Sequence, residues 1–96
     1  MNPVLMAAEE AVLFVTDDAG DGAAYALALD EALGRMAVTA ARRQVVALAD
    51  QPELGARWQV RVTPCLVLDT GSRRVHLPGD PAGLDTARLE QALGQR

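Results

Sequence analysis

The side chains of this chain that could do chemistry are few: Cys65, His76, the aspartates Asp17, Asp18 and Asp21, and the pair Arg73-Arg74. Cys65 is the one cysteine, so neither an internal disulfide nor a Cys-x-x-Cys redox pair can form. A lone thiol becomes a nucleophile or redox sensor only where a cation or a helix N-terminus lowers its pKa. Cys65 stands instead in the apolar run Cys65-Leu66-Val67-Leu68, where a small buried core residue is the simpler reading. His76 is the sole histidine, with no second histidine or cysteine pair to complete a metal site and no motif to complete a Ser/His/Asp set.

Asp17, Asp18 and Asp21 crowd the segment Asp17-Asp18-Ala19-Gly20-Asp21-Gly22. Its order brushes a Ca²⁺ loop, but Ala19 fills the third ligand position and Ala28 the twelfth, where a glutamate is needed. Receiver domains also gather carboxylates at strand ends, but they use a lysine, and all nine basic residues here are arginine. Gly20-Asp21-Gly22 opens a G-x-G-x-x-G pattern that Tyr25 breaks. A solvated loop, with Asp21 helping to cap the next helix, competes here with a partner contact. For Arg73-Arg74 the readings are a solvated sheet edge and a docking contact for an acidic partner. No catalytic residue, metal ligand or cofactor site is expected.

The elements that would position these groups follow from periodicity. Ala11-Val12-Leu13-Phe14-Val15 is an apolar run of strand length. The aspartate loop follows it. From Ala23 to about Ala37, Tyr25, Leu29, Ala32, Leu33 and Met36 share one helical face. Gln44-Val45-Val46-Ala47-Leu48 reads as a second strand. Asp50 as N-cap, Pro52 in the first turn and Glu53 at N3 start a short helix that ends before Trp58, a core aromatic. Proline has no N–H for a ladder, so a central strand tolerates it only at its start. Pro64 stands there, ahead of the strand Cys65–Asp69. Such a junction is a candidate for the cis form, and Thr63-Pro64 is predicted to adopt it. Thr70-Gly71-Ser72 turns the chain into a fourth strand, Arg73–Leu77. After the breaker Pro78-Gly79-Asp80-Pro81, Asp85 caps a last helix through Leu93, with Leu84 and Leu89 as a hydrophobic staple.

The order β-α-β-α-β-β-α predicts an α/β fold: a mixed four-stranded sheet flanked by helices. Residues 1–10 read as a weakly ordered lead-in and residues 11–96 as a single domain, a length that carries one core. Half the residues are hydrophobic, but only 3% are aromatic, so that core is made of Ala, Val and Leu. A net charge of −4 argues against nucleic acid. No apolar run approaches a membrane span, and the first residues lack a basic segment followed by a long apolar one, so a cytoplasmic location is expected.

This pattern resembles the thioredoxin-like fold. Arg57-Trp58-Gln59-Val60-Arg61-Val62-Thr63-Pro64 is similar to the segment before the cis-proline of thioredoxins, and Val12–Asp18 to their first strand. On that register the dithiol position falls on Ala19-Gly20-Asp21-Gly22, where both sulfurs are missing. The KaiB-like group is more similar. Asp50-Gln51-Pro52-Glu53-Leu54 resembles its D-x-x-P-x-L helix start, Val62-Thr63-Pro64 its A-T-P-T-L, and Arg73-Arg74 with Gly79-Asp80 its R-R-x-x-G-D. Asp69-Thr70-Gly71-Ser72 replaces the proline-rich hairpin of that group. The resemblance implies a non-catalytic protein-interaction or regulatory domain whose partner is another protein. It would be met at Asp17, Asp18, Asp21, Thr63, Pro64, Arg73 and Arg74, and a homo-oligomer is left open. The alternatives are a single-cysteine thiol or redox protein using Cys65, and a thioredoxin-like accessory chaperone in enzyme maturation. Some KaiB-like proteins exchange the C-terminal half between two arrangements. The consistent local signals over residues 50–93 predict one arrangement here.

Overall fold

The computed structural model describes residues 6–16 and 22–94. The elements run β1 (Met6–Val15), α1 (Gly22–Met36), β2 (Val38–Ala47), α2 (Pro52–Arg57), β3 (Cys65–Asp69), β4 (Arg74–Pro78), a 3-10 helix (Pro81–Gly83) and α3 (Thr86–Gly94). The four strands form one mixed sheet in the order β2-β1-β3-β4. β1 pairs parallel with β2 and antiparallel with β3, and β3 pairs antiparallel with β4. This is the expected architecture.

The sheet buries both faces. On the first, Ala11, Leu13 and Val15 of β1 and Leu66 and Leu68 of β3 pack with Leu29, Leu33 and Met36 of α1 and Leu89 of α3. Each such leucine, fully removed from water, contributes roughly 2 kcal/mol. On the second face Val12, Phe14, Val46, Cys65 and Val67 meet Trp58, with Leu48, Leu54 and Val60 packed alongside. The α2 helix is only six residues long, so it covers one end of this face. Towards the other end, Arg42 lies opposite Glu10, Glu10 opposite Asp69 and Asp69 opposite Arg74. A row of charges, plus-minus-minus-plus, therefore crosses all four strands.

Three expectations need correction. Residues 6–10, read as part of the lead-in, are strand. β2 starts at Val38 rather than Gln44. Both errors have one cause: Ala8 and then Ala11 enter the same core, as do Val38 and later Ala47, so alternation slips phase along each strand. α1 stops at Met36 because Ala37 turns left-handed, φ 57°, with its N–H donating to the Gly34 carbonyl at 3.2 Å. The N-cap of α2 is Gln51 and makes no side-chain bond, while the N–H of Asp50 closes a turn on the Ala47 carbonyl at 3.0 Å. At α3 the Asp85 carboxylate accepts from the Arg88 N–H at 3.0 Å, as a cap should, and Leu84 and Leu89 are both buried.

Candidate functional site

The site grows from the junction where β1 ends and β3 begins. Thr16 follows β1 directly, and its hydroxyl is hydrogen-bonded to that of Thr63. The Thr63-Pro64 peptide bond is cis. The Pro64 carbonyl accepts from the Gly79 N–H at 2.9 Å, which ties the proline step to the chain leaving β4. Gly79 has φ 109°, a conformation that side chains with a Cβ rarely adopt, and this bend delivers Asp80 and Pro81 to the same end of the sheet. The Asp80 carboxylate then accepts from the Ala82 N–H at 2.9 Å and starts the 3-10 helix.

A groove of about 450 Å³ results, lined by Val15, Thr16, Ala24, Tyr25, Ala28, Pro64, Asp80 and Pro81. The first turns of α1 form one wall, and Asp80 and Pro81 form the other. That second wall is held by Arg35, whose Nη2 donates to the Pro81 carbonyl at 2.6 Å and Nε to the Leu84 carbonyl at 2.9 Å. Val62, just outside, is 57% exposed. Small apolar side chains, hydroxyls and one carboxylate are a lining suited to holding a chain segment.

The other residues singled out from the sequence fall elsewhere. Asp17, Asp18 and Asp21 lie outside the described residues. Cys65 follows Pro64 but turns to the second face, buried with Phe14 and Trp58. Burial pushes its thiol pKa up, opposed in part by a backbone hydrogen bond from Leu77. The thiolate that reactivity requires is therefore disfavoured. Arg73 and Arg74 sit at the far end of β3, roughly 15 Å along the strand from Pro64. Arg74 lies over the Trp58 ring, 4.3 Å from its centroid, and its Nη1 donates to the Arg57 carbonyl at 3.2 Å. Its Nε is 3.7 Å from the Asp69 carboxylate. His76 is half-buried, with Nε2 2.7 Å from the Trp58 carbonyl. Among the described residues, no three His, Cys, Asp or Glu side chains gather as a metal would need, and no helix is long and apolar enough to cross a membrane.

Thr63 and Pro64 are thus the sequence-predicted residues that the structure places at the groove. Tyr25 shares the helical face of Leu29, and Asp80-Pro81 falls in a chain-breaking segment, so neither is marked in the sequence as part of a groove. Their convergence depends on the Gly79 bend and the Arg35 bonds, which no local pattern encodes.

The strand order, the proline step at the mouth of β3 and the helix beside it define a thioredoxin-like domain. Among solved structures the chain is similar to the N-terminal domain of Synechococcus elongatus SasA, a KaiB-like thioredoxin-like domain. The two share 26% identity over 99% of this chain and 88% of that one, with a TM-score of 0.58. A malarial protein, 10% identical over 88% of this chain and 91% of its own, has the same fold at a TM-score of 0.53. No protein-family model matches the chain, and no curated protein sequence does.

Proposed function

We propose that this chain is a protein-interaction or regulatory domain of the KaiB-like kind, which holds an extended segment of a partner protein beside Thr63 and Pro64. The observation that carries this reading is the groove between α1 and Pro81, with its mainly apolar lining and exposed Val62 at its margin. The similarity to the SasA domain supports it. An extended segment can be held there by strand-like backbone bonds, with one side chain seated in the groove. The segment Asp17–Asp21 joins Thr16 to α1, and its three carboxylates belong to the same proposed surface. Arg73 and Arg74 lie at the far end of β3, away from this groove, and Arg74 is engaged with Trp58, Asp69 and Arg57.

The test is site-specific photo-crosslinking in the native host. A benzophenone side chain at position 62 is expected to capture a discrete partner, and one at exposed Glu31 is not. Capture from neither position, or equally from both, would defeat the reading. A captured partner that is an immature enzyme would instead make the chain an accessory chaperone.

A further inference from the structure

A second surface lies along the outer edge of the sheet. β2 is ten residues long and stands at the end of the strand order, so its outer side meets no described strand. The Leu48 N–H donates to the Val15 carbonyl at 2.9 Å, which fixes the parity of the ladder. Stepping back by twos, Val46 and Gln44 face β1, so Arg43 and Val45 turn their N–H and C=O groups outward. Proteins normally blunt such an edge. The opposite edge is blunted: β4 has five residues and ends in Pro78, whose carbonyl is capped by Arg88 Nη2 at 3.2 Å. β2 carries no proline and no covering segment among the described residues.

Two further observations say what fits there. A cleft of about 450 Å³ runs beside the edge, lined by Ala26, Leu29, Asp30, Arg43, Gln44 and Val45, on the face that α1 covers. An added strand would point every second side chain into this cleft and the others to the opposite face, beside Arg42. Arg43 is already paired with Asp30 at 2.7 Å. Arg42 and Arg43 occupy the middle of β2, so a second copy pairing antiparallel about that middle would set Arg42 against its own counterpart, or Arg43 against its own, an unfavourable juxtaposition of like charges. We infer that the β2 edge takes an extended segment of another protein by strand addition. The segment alternates apolar residues, which fill the α1–β2 cleft, with acidic residues, which meet Arg42. This surface is separate from the Pro64 groove.

The probe is a blocked peptide of alternating valine and glutamate, titrated into the ¹⁵N-labelled protein, with valine–lysine as its counterpart. The glutamate peptide is expected to shift the amides of Arg43–Ala47, Ala26 and Leu29, and the lysine peptide to leave them in place. Arg42→Glu should weaken the glutamate peptide about five-fold, the equivalent of ~1 kcal/mol for a cross-strand charge pair. Arg42→Gln serves if the reversal disturbs folding. Absence of shifts along β2, equal response to both peptides, or unchanged affinity in the Arg42 variant would overturn the inference. So would shifts confined to Thr16, Tyr25 and Thr63, or self-association through β2.

Discussion

Replacing Gly55 by alanine sets two measurable effects against each other. Gly55 is in the middle of α2, where alanine is favoured over glycine by about 1 kcal/mol. It is also buried against the sheet-side residue Leu48. A Cβ built there comes 2.8 Å from Leu48 Cδ2 and 3.3 Å from Cδ1, so one of the two residues must shift. Overpacking of this kind costs about 1–3 kcal/mol. Leu48 is half-buried and can yield in part, which places its cost near the lower end. Gly55→Ala is therefore expected to destabilise the protein by up to about 1 kcal/mol, the excess of the packing cost over the propensity gain. Leu48→Ala removes the obstructing atoms. In that background the same substitution should stabilise by roughly 0.5–1 kcal/mol. Urea unfolding of the four proteins, followed by circular dichroism, measures both steps. The reasoning stands on the reversal of sign. If Gly55→Ala stabilises both backgrounds equally, close approach of α2 to the sheet is not what the glycine provides.

Arg35→Met keeps the side-chain stem and removes both donors to Pro81 and Leu84. A loss of about 1–2 kcal/mol is expected, since bonds from a charged donor are worth more than neutral ones but this arginine is partly solvated. Hydrogen exchange should accelerate in α3 more than in β1; a uniform change would refute the local role. Cys65 has a raised thiol pKa, so its contribution to stability is fully present below the ordinary thiol range and is lost as pH climbs through the raised value. Cys65→Ala should flatten that alkaline loss in unfolding measurements between neutral and high pH, and identical slopes would count against it. One set of amide peaks is expected for residues 50–93. Two slowly exchanging sets would show that the C-terminal half has a second arrangement.

The parts of the fold legible in the sequence were those where local preference and tertiary need agree. β3 reads from Pro64 to Asp69 because proline marks its start, an apolar run its body and Thr70-Gly71 its end. The Gly71 N–H donates to the Asp69 carboxylate at 2.8 Å, the self-bonding that makes aspartate a turn residue. The first halves of β1 and β2 were illegible because the two neighbours slip phase together, so neither shows sustained alternation over its full length. A left-handed alanine at position 37 carries no compositional mark. Of the groove, the proline step could be read from the chain itself. Its walls could not, because Tyr25 and Pro81 are 56 residues apart, and guanidinium-to-carbonyl bonds rather than any motif bring them together.

The unequal covering of the sheet has a kinetic consequence. Among the described residues, sixteen bury themselves in the core on the α1–α3 face and six in the core beneath α2. The smaller layer is closed by one short helix, one tryptophan and the arginine laid across it. Segments held by few apolar contacts open at lower free energy than the whole molecule. Lifting α2 and Trp58 would bare Cys65 while the rest of the sheet stays assembled. The rate at which the thiol is alkylated in native buffer then gauges how often that layer detaches, and Trp58→Ala should quicken it well before global unfolding sets in. The cysteine becomes a built-in probe of partial opening.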